Sequence, residues 1–218
     1  MRQLQRQTRT SPLPEKGDTL LKPIDDMREG GLVDWGFKQG GARFGSWGRW
    51  SILAEGYRRA GDAVVMAALE AGGTDALVFP AVSLYRHYIE LQLKRYLEQL
   101  REMGFTQEHR ENNHDLNQHW RRLRRALTAF KPGLPSDAIT SMERLVGEMH
   151  KCDPNSESFR FGEAKSGNDL LKCIHSVDMR NLRDVMGKID NFFAALDGEI
   201  DDEQEVQQDL NQYLNPSE

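Results

Sequence analysis

Arg86, His87, Glu90 and Lys94 are the residues of this chain whose types and spacing best suit joint chemistry. They fall within Phe79-Pro80-Ala81-Val82-Ser83-Leu84-Tyr85-Arg86-His87-Tyr88-Ile89-Glu90-Leu91-Gln92-Leu93-Lys94. At about 100° per residue they share about a third of a helix circumference, with Tyr85, Ile89, Leu93, Tyr96 and Leu100 opposite. Metal-independent cleavage of RNA needs a base for the 2′-hydroxyl, an acid for the leaving oxygen and a cation near the developing phosphorane. Arg86, His87, Glu90, His114 and Arg160 supply those chemical types. If the loop opening the third helix folds back over the second, His114 meets the Arg86–Glu90 arc. The same spacing also fits a solvated face with Arg86–Glu90 and Glu90–Lys94 pairs, each contributing about 0.2–0.5 kcal/mol, and spacing alone favours that reading. A further reading is a satisfied polar network that anchors the loop from Asp153 to Asn168.

A second candidate is the run Arg121-Arg122-Leu123-Arg124-Arg125, which keeps Leu123 inward and aims four guanidiniums outward. It suits nucleic-acid phosphates, although a solvated helix face explains such runs more often. His109, His114 and His119 recur every five residues, so successive rings point about 140° apart on a helix and do not converge on a metal. No metal or other cofactor is expected.

The elements that position these residues follow from patterning. Hydrophobic residues make up 38% of 218, and they gather in periodic blocks, so one domain with a real core is expected. The net charge of −5 is unevenly spread between basic clusters and an acidic stretch from Asp197 to Glu205, so local charge matters more than the total. Two cysteines without knuckle spacing, no apolar leader at the N-terminus and no run of about 18 apolar residues lead to the expectation of a cytoplasmic protein without membrane contact.

Residues 1–30 read as a flexible arm, and 31–50 as a glycine–aromatic segment docking on the bundle, with Trp35, Trp47 and Trp50 among its rings. Its glycines do not form a phosphate-binding GxxxxGK[ST] loop. Residues 51–197 carry five helical patterns and 198–218 an acidic tail expected to be mobile. The helices run from about Ser51 to Gly72, from about Asp75 to Met103 with Pro80 inside, and from a cap at Asp115 along Leu116, Trp120, Leu123, Leu127 and Phe130. A fourth is capped by Ser136 or Asp137, and a fifth by Ser176 or Asp178. An irregular loop or short hairpin is expected near 153–168. The class is all-α, a single helical bundle.

The order of motifs, Leu84 to Lys94, then His114-Asp115-Leu116, then Asp153-Pro154 with Ser158-Phe159-Arg160-Phe161, then Asn181-Leu182-Arg183-Asp184-Val185-Met186, resembles a bacterial branch of the HEPN superfamily. The likeness covers about residues 50–197. It implies a HEPN-like bundle, a homodimer, and a group that holds toxins and phage-defence ribonucleases beside non-catalytic RNA- or nucleotide-binding members. The usual ribonuclease signature is Arg, four to six residues, then His. Arg110 to His114 is one residue short, and Arg144 to His150 fits the spacing with an apolar Leu145 after the Arg. A match this loose arises by chance, and on a continuous helix Arg144 and His150 point about 240° apart.

Two functions therefore stand. One is a HEPN-like protein interacting with RNA in phage defence or a toxin–antitoxin setting, as a metal-independent ribonuclease using Arg86, His87, Glu90, His114 and Arg160. The other is a non-catalytic module that binds nucleotide, nucleic acid or a partner protein such as an antitoxin.

Overall fold

The structure is a computed structural model that describes residues 46–71, 75–109, 111–157 and 176–214. The chain divides into two units, Met1–Gly41 and Ala42–Glu218, and every described residue belongs to the second. Among the described residues there are five helices and no strand: α1 Ser46–Ala71, α2 Asp75–Glu102, α3 Leu116–Phe130, α4 Ser136–Cys152 and α5 Met179–Leu214. The expected all-α bundle is what the chain forms. No described helix is long and apolar enough to cross a membrane.

Helix ends follow from local chemistry. Asp115 caps α3 by accepting from the Gln118 amide at 2.8 Å, and Asp178 caps α5 by accepting from the Arg180 and Asn181 amides. Gly104 ends α2 at φ +86°, with Phe105 N–H on the Leu100 carbonyl and Gly104 N–H on that of Arg101. That pair of bonds is a Schellman ending, which needs the left-handed region glycine occupies freely. Pro80 is carried inside α2, near its start, where it removes one ladder bond.

Three boundaries differ from expectation. α1 begins at Ser46 rather than Ser51, so Trp50 packs on the core from a helix and not from a loop. A single glycine, Gly48, costs about 1 kcal/mol in a helix, too little to stop one whose Trp50 ring finds the core. α4 is preceded by Pro135 and has no side-chain cap, so neither Ser136 nor Asp137 serves as one; Asp137 instead sits in the first turn. α5 does not stop near Asp197 but continues to Leu214, so the acidic stretch is helical. Arg160, Trp35 and the loop after Glu157 lie outside the described residues.

α2 packs against α1, α3 and α5, and α3 packs against α4. Tyr85, Leu93, Tyr96, Leu97 and Leu100 are fully buried on α2, and Leu116, Leu123 and Phe193 meet them from α3 and α5. The α1–α2 approach is tight: a Cβ at Gly61 would stand 2.6 Å from the Tyr85 ring. The Tyr85 hydroxyl donates to Asp62 and the Tyr88 hydroxyl to Asp190, each at 2.6 Å. Surrounded in this way, α2 has no solvated stripe, and its polar residues must find partners inside the protein.

Candidate functional site

Arg86 is buried with 1% of its side chain exposed, and each nitrogen of its guanidinium has an acceptor. Nη1 donates to Glu90 Oε2 at 2.9 Å, Nη2 to the His114 carbonyl at 2.7 Å and Nε to the Asp153 carbonyl at 3.0 Å. The Asp153 carboxylate also approaches Nε at 3.4 Å. One α2 side chain thus holds both the entry to α3 and the turn after α4. The expectation of a solvated face is overturned: helices on several sides of α2 enclose this arc, a fact that periodicity along one helix does not carry.

Glu90 is 2% exposed and collects three partners. It accepts from Arg86, from Lys94 Nζ at 2.7 Å and from His114 Nδ1 at 3.0 Å. Burial alone would raise its pKa, but the Lys94 hydrogen bond and the charges of Lys94, His114 and Arg86 outweigh it and hold the carboxyl at about 2. Lys94 also donates to the Asn113 carbonyl at 2.9 Å. The α2–α3 loop therefore folds back over α2, and His114 does meet the arc.

His114 is the open edge of this network, with half its side chain exposed. An ionised carboxylate only accepts, so the Nδ1 facing Glu90 carries a proton in either state of the ring, and Nε2 holds the lone pair in the neutral form. No described residue bonds Nε2. His87, one turn from Glu90 on α2, is half-buried and makes no hydrogen bond to the arc; its ring stands edge-on to Tyr57 with centroids 4.3 Å apart. Burial lowers its pKa, against the opposing pull of Glu90.

Arg121, Arg124 and Arg125 are exposed and Arg122 is half-buried, and all but Arg121 are paired with carboxylates. Arg125 donates twice to Glu108, Arg122 pairs with Glu111 and Glu108, and Arg124 with Glu143 at 2.6 Å. Arg121 bonds only the Asn117 carbonyl on its own helix. The carboxylates facing these arginines come from the α2–α3 loop and α4. Lys94, Asn113, Asp153 and Tyr57 are the site residues that motif reasoning left without a role. Lys94 stood on the arc by spacing, whereas the carbonyls of Asn113 and Asp153 and the ring of Tyr57 leave no signal in residue type. A groove of about 530 Å³ between α2, α4 and α5, lined by Val82, Ile89, Leu145, Met149 and Met186 among others, touches none of the described catalytic or phosphate-binding candidates.

Compared with known proteins, the chain matches no family model, no curated protein and no solved structure.

Proposed function

We propose that this protein acts on RNA, with His114 as the base of a metal-independent cleavage. The observation that supports this most is the half-exposed His114 imidazole held through Nδ1 by an ionised, buried Glu90. Such a carboxylate fixes the tautomer and stabilises the imidazolium that forms when Nε2 takes a proton. Nε2 removes the 2′-hydroxyl proton, the oxygen attacks the adjacent phosphorus, and the bond to the 5′-oxygen breaks. His87, lying within electrostatic reach of His114, gives a proton to that leaving oxygen when it starts as imidazolium; burial makes that imidazolium a stronger acid but a rarer one, so this step gains as pH falls towards the lowered pKa. Arg86 and Lys94 are positioning residues, because their donors are engaged by protein acceptors. Arg121, Arg122, Arg124 and Arg125 bind RNA phosphates; Arg121 has no carboxylate to give up, and Arg124 and Arg125 exchange exposed ion pairs that are each worth only about 0–1 kcal/mol.

The order of motifs supports a HEPN-like setting in phage defence or a toxin–antitoxin pair, a cytoplasmic homodimer, and a partner protein such as an antitoxin. Expression of the wild-type chain then arrests growth with degraded RNA, and His114→Ala relieves both. Arrest undiminished in His114→Ala contradicts the assignment. A second reading is favoured by Arg86, whose Nε, Nη1 and Nη2 all go to protein acceptors. In that reading the network is a pin for two loops and the protein is a non-catalytic binding module. RNA binding without cleavage would select it.

A further inference from the structure

The C-terminal part of α5 is built like a bundle helix, but its apolar side chains beyond Ile200 are exposed. From Met179 to Ile200 its inward residues alternate spacings of three and four, and Ile200 is fully buried. The same alternation continues through Glu203, Gln207, Leu210 and Leu214, yet here the apolar side chains are exposed. Val206 is 53% exposed, Leu210 54%, Tyr213 83% and Leu214 70%. About 21 Å of helix follows Ile200 at 1.5 Å per residue. Val206, Leu210, Tyr213 and Leu214 fall within about 100° of arc, the width of a helix-packing stripe.

Charge selects what covers it. After Lys188 the sequence has no Lys or Arg, and Asp201, Asp202, Glu203, Glu205 and Asp209 accompany the stripe. Glu203 lies on the stripe and Asp202 and Asp209 run along one edge. A nucleic acid is repelled by this charge, and a second copy of the same helix brings five more carboxylates against the first five. A helix with an apolar face flanked by cations meets both the stripe and the charge.

We propose that the segment from Asp201 to Leu214 is a docking helix for a basic amphipathic helix of another protein. The inference stands apart from the His114 site, and its result does not bear on RNA cleavage. The probe is a fluorescein-labelled peptide with leucine at a and d and lysine at e and g, beside a control with glutamate replacing each lysine. Both are titrated into the full chain by fluorescence anisotropy. The lysine peptide saturates, weakens as salt is added, and loses at least about tenfold in affinity to the Leu210→Asp/Leu214→Asp variant. The glutamate peptide does not bind. Because both leucines are exposed, the variant keeps the wild-type circular dichroism and melting temperature. No saturable binding of the lysine peptide, equal binding of the two peptides, or unchanged affinity in the variant overturns the proposal. So does a dimer by sedimentation equilibrium that the variant dissolves, since a second copy would then cover the stripe.

Discussion

Glu90 and His114, separated by 24 residues, are joined by a 3.0 Å contact between a buried carboxylate and the Nδ1 of a half-exposed imidazole. Everything that makes this contact specific comes from other residues. Arg86 and Lys94 keep Glu90 ionised in a buried place, and the same two cations hold the carbonyls of His114 and Asn113.

The first consequence concerns Arg86. Arg86→Met leaves Glu90 short of one cation and the carbonyls of Asp153 and His114 without their donor. Breaking a buried pair from one side costs about 3–5 kcal/mol, so urea denaturation should show a loss of that size. A change below about 1 kcal/mol would mean the pair behaves as an exposed one.

Acid should unfold the protein in two stages. His87 and His119 have pKa values lowered from 6.5 by burial, so the unfolded chain binds more protons and stability falls as pH drops below about 6.5. Glu90 is depressed from 4.5 to about 2, so its contribution is present above 4.5 and is lost as pH falls towards 2. His119 Nε2 bonds the Asn113 carbonyl while Nδ1 is buried without a partner. His119→Gln keeps a donor and removes the charge, so it should shrink the stability difference between pH 7.5 and pH 5.5. An unchanged difference would assign the first stage to other groups.

Gly61 and Tyr85 make a separate test of the α1–α2 contact. Alanine in place of glycine on an open helix gains up to about 1 kcal/mol, but here the new methyl would meet the ring at 2.6 Å. Gly61→Ala should destabilise by about 1–3 kcal/mol, and the penalty should vanish in a Tyr85→Ala background. Additive penalties in the double variant would contradict the contact.

The arginine run predicts salt dependence. Replacing Arg121, Arg124 and Arg125 with Gln should weaken RNA retention and reduce the salt slope by about 0.7 for each single-strand phosphate that is no longer neutralised. Arg124 and Arg125 are already paired with Glu143 and Glu108, so Glu108→Gln should strengthen retention. No response to either change would leave the run as a solvated face.

Much of this arrangement was legible because it depends on local chemistry. The α3 stripe and the Asp115 cap each follow from residue type at a fixed offset. The burial of Arg86 and Glu90 was not legible, because it depends on how many neighbours α2 has. Carbonyl acceptors at Asn113, His114 and Asp153 were equally hidden, since every residue carries one. The extension of α5 went unseen because Glu203 and Gln207 interrupt the apolar repeat at the point where its acidic composition suggested a tail.

The central claim is tested most directly by incubating purified protein with labelled single-stranded RNA in excess chelator and resolving the products. Wild type should cleave and leave 2′,3′-cyclic phosphate ends, His114→Ala should be inactive, and Glu90→Gln should be slowed while still folded. Intact RNA with the wild type, or equal cleavage by folded His114→Ala, would contradict the assignment of His114 as the base.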